Sequence, residues 1–191
     1  MLSLSLGYIK IYFKDNFMKD ACVFIHGSGN EKAKLWYIRF LVNNGMTVFV
    51  PNNEEMYIHK KIVRLYMKQV TQIIDLIHAL NYDGKIALYG VNEGAPIVAK
   101  YTNKKRNKII DKKVLLGYNP GRWKNKSVIR INIVGKNNTQ PVCARGYQDG
   151  TQEVTGRQMC KVYALENCTY DLVKDKLLLK KVLQTVVHTQ M

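Results

Sequence analysis

Three times between residues 21 and 102, a short run of β-branched and apolar residues gives way at glycine or proline to a longer stretch with apolar residues at helical spacing. A chain built this way places parallel strands in one sheet and returns through helices on its faces. The first unit runs from Ala21 to His26 and, after Gly27-Ser28-Gly29, into a helix over about Glu31 to Asn43. Leu35, Ile38, Leu41 and Val42 share one face of that helix, and Gly45 ends it. Met46 to Val50, stopped by Pro51, opens the second unit, and its helix carries Ile58, Ile62, Leu65, Tyr66, Ile73, Ile77 and Leu80. Lys85 to Tyr89 runs through Gly90-Val91-Asn92-Glu93-Gly94 into a third helix from about Ala95 to Thr102.

Further strands are expected at Val114 to Gly117, Val128 to Val134 and Met159 to Leu165, with a closing helix from about Leu172 to His188 and an antiparallel ribbon at Leu4 to Phe13. The expected architecture is α/β: a three-layer sandwich, a mainly parallel sheet of about six to eight strands with helices on both faces. With no repeat, no Pro/Gly-rich linker and no break in composition, residues 1–191 read as a single domain.

Hydrophobic residues at 47% and charged residues at 23% supply enough apolar surface for a packed core and exclude a disordered chain. Lys10, Lys14, Asp15 and Lys19 interrupt the apolar start, so no membrane span is expected; that start also lacks the basic lead and small-residue cleavage site of a secretory signal. Cys22, Cys143, Cys160 and Cys168 form neither a C-x-x-C pair nor a dense framework. This fits reduced thiols in a cytoplasmic protein and offers no metal site. The N-x-[ST] matches at Asn125, Asn137 and Asn167 matter only in a secreted protein. Thirty Lys and Arg against 14 Asp and Glu leave a net charge of +16, clustered at Lys100 to Lys113, Arg122 to Arg130 and Lys174 to Lys181. Solvated basic faces are the simplest account, and an anionic partner, nucleic acid or an acidic protein, is the functional one. No nucleic-acid-binding motif accompanies the charge.

Two motifs carry more information. His26-Gly27-Ser28-Gly29 follows one strand, and Gly90-x-Asn92-x-Gly94 joins a later strand to its helix. In that order, over nearly the whole chain, they resemble the α/β-hydrolase family, and most of all its compact, lidless members, the dienelactone-hydrolase-like proteins and small esterases. Only Tyr118 to Ser127 stands where other members insert a cap. The resemblance implies an oxyanion loop at His26, Gly27, Ser28 and Gly29 and a nucleophile elbow at Gly90 to Gly94. At the elbow tip, however, Asn92 replaces the serine or cysteine, and a carboxamide is not an activated nucleophile.

The acid position after the fifth strand falls on Asn138, or on Asn119 after the fourth, and the base position falls on Tyr170. An amide cannot stabilise an imidazolium as a carboxylate does, and a phenol does not shuttle protons near neutrality. The serines are Ser3, Ser5, Ser28 and Ser127 and the histidines His26, His59, His78 and His188; no serine falls in an elbow and no histidine at the base position.

The reading is a hydrolase scaffold without serine-hydrolase activity, whose crevice is vestigial or binds a small acyl or carboxylate ligand through Asn92, Glu93 and Ser28, with no cofactor. Two alternatives stand beside it. One is an active hydrolase with a non-standard nucleophile, Cys168 or Ser28. The other is a basic platform for an anionic partner. Trp123, in Gly121-Arg122-Trp123-Lys124, lies on the loop expected over the crevice and suits stacking on an anionic ligand or packing on its own domain.

Overall fold

A computed structural model describes residues 1–14, 20–26, 31–51, 60–80, 85–101, 110–116, 129–135, 152–154 and 160–165, together with 180, 181, 183, 184 and 187. The strands are β1 (Leu2–Leu6), β2 (Ile9–Phe13), β3 (Asp20–His26), β4 (Met46–Pro51), β5 (Ile86–Val91), β6 (Ile110–Leu116), β7 (Ile129–Gly135), β8 (Gln152–Val154) and β9 (Cys160–Leu165). The helices are α1 (Glu31–Asn43), α2 (Lys60–Ala79) and α3 (Gly94–Lys100). All strands join one sheet in the order β1-β2-β4-β3-β5-β6-β7-β9-β8. The run β4-β3-β5-β6-β7-β9 is parallel, while β1, β2 and β8 pair antiparallel at the two ends. The α/β three-layer expectation holds, with nine strands against the expected six to eight. The extra strands lie at the ends, where the expected ribbon resolves into β1 and β2 and three-residue β8 adds to β9.

Strand alternation sorts the core into two layers. Cys22 and Phe24 of β3, Val48 and Val50 of β4, and Ala87, Tyr89 and Val91 of β5 meet Tyr37, Ile38, Phe40, Leu41 and Val42 of α1. Ala21, Val23 and Ile25, Phe49, and Ile86 and Leu88 face the other way. They meet Tyr66, Val70, Ile73, Ile74 and Ile77 of α2 and Ala95, Ile97, Val98 and Ala99 of α3. α1 buries Ile38, Leu41 and Val42 of its expected stripe, and α2 buries Tyr66, Ile73 and Ile77. Leu65 and Leu80, expected on the same face, stay 52% and 45% exposed because they lie at the margins of that stripe, off the sheet. Gly45, at φ 85°, ends α1 by donating its N–H to the Val42 carbonyl at 3.1 Å.

β6 begins four residues before the expected Val114, because the charged Lys112 and Lys113 mask a strand in which both are nevertheless buried. Lys112, 7% exposed, donates from Nζ to the Val187 carbonyl at 3.2 Å, and Lys113, 1% exposed, donates to the Tyr101 carbonyl just past α3. A register shift between Ile86 and Ala87 against β6 keeps Val114 and Leu116 on the α1 side while Ile110 and Leu115 face α3. Of the expected closing helix, residues 180, 181, 183, 184 and 187 are helical and Leu183 is buried on the α1 side. Among the described residues, no helix is long and apolar enough to cross a membrane.

Candidate functional site

β3 and β5 are neighbours, yet the chain leaves β3 for β4 on one side and leaves β5 for β6 on the other. Ligands of open α/β sheets bind beyond the carboxyl ends of the strands at such a divergence. There His26 pairs with Val91, so the end of β3 lies against the start of the turn that carries Asn92.

That turn is dictated by close packing. α3 starts at Gly94, immediately after Asn92 and Glu93, so the chain reverses over two residues. A Cβ on Gly94 would stand 2.1 Å from the Ile25 carbonyl oxygen, and one on Gly90 would stand 2.6 Å from the Ala95 Cα. Neither position accepts a side chain. Between them Asn92 adopts φ 50°, the one positive φ at a non-glycine among the described residues. Asparagine is among the few residues that take this left-handed conformation readily. The Asn92 N–H donates to the Leu116 carbonyl of β6 at 3.0 Å, and its own carbonyl accepts from the Ala95 N–H at 3.0 Å. Backbone bonds on both sides therefore fix the tip.

The side chains at the tip are arranged differently from their backbone. Asn92 Oδ1 and Glu93 Oε2 are both buried without a hydrogen-bond partner among the described residues. Two acceptors left so cost about 1–3 kcal/mol each until something donates to them. Glu93 has helical backbone angles, φ −63° and ψ −22°, and its side chain does not cap α3. His26, half-buried, holds its ring 6.1 Å from that of Phe24.

Behind the turn, Tyr89 is 1% exposed, its buried hydroxyl has no hydrogen-bond partner among the described residues, and Cys22 lies in the same core layer. Burial pushes the Tyr89 phenol well above its ordinary range, with the nearby Cys22 adding to the effect. Burial likewise pushes the Cys22 thiol well up, opposed by a backbone hydrogen bond from Tyr89. A thiol so placed is a small hydrophobe and an inert one.

The structure thus brings together His26, Gly90, Asn92, Glu93 and Gly94. Gly27, Ser28, Gly29, Asn119, Trp123, Asn138, Cys168 and Tyr170 lie outside the described residues. Two contributors to the site, the Ile25 and Leu116 carbonyls, are backbone groups that no residue pattern announces.

Solved structures match this arrangement along the whole sheet. A lid-free α/β serine hydrolase from Xanthomonas campestris superposes with a TM-score of 0.67 at 13% identity over 97% of this chain and 92% of its own. An α/β hydrolase from the metagenome of Mar Chica lagoon sediments gives 0.68 at 15% identity over 97% of both chains. The fold is that of the α/β hydrolases. A dienelactone hydrolase from Anabaena variabilis superposes at 0.63, with 13% identity over 97% of this chain and 93% of its own. Like that lid-free hydrolase, the described residues form the sheet and its helices with no cap among them. No family model and no curated protein matches the sequence.

Proposed function

We propose that this chain is a hydrolase scaffold without serine-hydrolase activity, one that keeps the crevice at the end of the sheet for binding. The observation that carries the reading is Asn92 at φ 50° between two glycines that cannot be replaced. An elbow of this shape serves to present a nucleophile, and its tip is a carboxamide with no ionisable proton. Asn138 and Tyr170 at the acid and base positions remove the relay that would activate any substitute.

The two buried acceptors, Asn92 Oδ1 and Glu93 Oε2, favour a ligand that donates hydrogen bonds. An amide or an alcohol satisfies them, whereas the free carboxylate that the motifs suggest adds a third acceptor.

Turnover of p-nitrophenyl butyrate tests the loss of chemistry. The purified chain is expected to match the buffer rate, and Cys168→Ala and Ser28→Ala to change nothing. Hydrolysis at ordinary enzyme rates that either substitution abolishes would overturn the reading and name the nucleophile. A thermal-shift comparison of butyramide with butyrate tests the crevice, with stabilisation by the amide expected.

A further inference from the structure

Among the described residues β1 ends the sheet and is hydrogen-bonded on one side only, to β2. Its sequence, Leu2-Ser3-Leu4-Ser5-Leu6, reads the same in both directions about Leu4. All five residues are exposed, Leu2 at 52% and Leu4 and Leu6 at 43%, with Met1 at 50% and Tyr8 at 41% beside them. The three leucines stand opposite Phe13, Ile11 and Ile9 of β2, and Ile9 and Ile11 belong to the buried layer shared with α2 and α3. That apolar layer therefore runs off the edge of the sheet onto an uncovered strand. Proteins commonly guard such an edge with lysine, proline or a bulge, and β1 carries no charge and no proline and pairs with β2 in unbroken register.

We infer that β1 pairs antiparallel with β1 of a second copy, about a two-fold axis through Leu4. The palindrome is what selects this occupant. Leu4 then faces Leu4 of the second copy, Leu2 faces Leu6, and Ser3 faces Ser5. Directly opposed residues in an antiparallel pair project to the same face, so six leucines form one stripe. Charge points the same way. Two chains of +16 repel, so they can meet closely only where neither carries a side-chain charge, as on this strand. Lys10 lies one strand further in, opposite Ser5. Two such lysines would be separated by three strand spacings or more, at least about 14 Å, beyond the screening length of about 8 Å at physiological salt. Each copy uses its only β1, so the assembly closes as a dimer and does not propagate.

Sedimentation velocity of the full chain over a concentration series, at low and at high salt, tests this. The expected result is a monomer–dimer equilibrium that shifts toward dimer as salt rises, because salt screens the repulsion and leaves the strand pairing intact. Leu4→Lys is expected to remain monomeric at every concentration, with the thermal midpoint of the wild type at dilutions where that is monomeric. A second variant tests the register: under mild oxidation Leu4→Cys should cross-link to itself, because directly opposed Cα atoms lie within disulfide range, and Leu2→Cys should not. A monomer throughout, species larger than a dimer, or equal cross-linking of the two cysteine variants would overturn the inference. So would a monomeric chain whose binding to phosphatidylserine-containing vesicles is lost in Leu4→Ser, which would assign the stripe to a membrane surface.

Discussion

Gly94, where the start of α3 packs on the middle of the sheet, and Gly7, in the turn at the sheet's edge, are both glycine for opposite reasons. Gly94 has no unusual φ, but a Cβ there would run into the Ile25 carbonyl of the neighbouring strand. Gly7 has φ +55° and nothing within 4 Å of where a Cβ would stand. It sits in the two-residue turn with Tyr8 that joins β1 to β2, where a positive φ at the first position suits the twist of a hairpin. At the centre, packing selects the residue; at the edge, only backbone conformation does. The elbow glycines accordingly report geometry and say nothing of chemistry, which leaves Asn92 between them as the informative residue. At the edge, β2 covers only about half of each β1 leucine, and the exposed remainder is the surface on which the inferred pairing with a second copy rests.

The largest effect should come from breaking the central contact. Gly94→Ala forces β3 and the start of α3 apart and is expected to cost about 3 kcal/mol or more. Gly7→Ala meets open space and should cost only about 1 kcal/mol, the penalty for a left-handed residue. Urea denaturation of the pair separates steric from conformational need. Equal losses would mean that the β3–α3 approach is looser than the 2.1 Å figure at Gly94 implies.

A smaller effect, of opposite sign, should come from Tyr89, one layer behind the elbow. Its buried hydroxyl has no partner, so Tyr89→Phe removes a desolvation cost without opening a cavity and should stabilise by about 1 kcal/mol. The same residue sets an alkaline limit. The folded phenol titrates well above 10.0, and the unfolded phenol titrates near that value. Above it the unfolded chain has released a proton that the folded chain retains, so stability falls as pH rises. Below it the contribution is fully present. Cys22, raised from 9.0 by burial, acts in the same direction from a lower pH. Thermal midpoints from pH 8 to 11 should decline in the wild type and decline less in Tyr89→Phe. An equal slope in both would place the alkaline titration elsewhere.

These contrasts also explain what the residues disclose in advance. α1 is found over the stretch its apolar spacing marks, Glu31 to Asn43, because that periodicity and the packed stripe have one cause. The elbow is equally readable, since Gly90 and Gly94 each satisfy a local steric demand. The start of β6 is not legible, because Lys112 and Lys113 are buried by tertiary partners, the Val187 and Tyr101 carbonyls, that no local pattern contains. β8 leaves no local mark for a similar reason: three residues are too few for a periodic signal, and only pairing with β9 makes them a strand. Within the site, the type of residue at the tip is legible, but the lack of partners among the described residues for Asn92 Oδ1 and Glu93 Oε2 depends on what surrounds them.

Asn92→Gly should have the smallest effect, and its sign carries the most information. Two terms favour the variant: glycine takes φ 50° without strain, and an unpartnered buried acceptor is removed. One term opposes it, the greater backbone entropy of glycine in the unfolded chain, of about 0.5–1 kcal/mol. The balance should be a gain of about 0.5 kcal/mol in the free protein, read from denaturant midpoints. If the side chain is also a ligand contact, the same variant should lose the stabilisation that butyramide confers on the wild type. A residue that destabilises the free protein yet is needed when the crevice is filled is retained for what it binds, whereas one that destabilises in both states marks a turn that has kept its shape and nothing else.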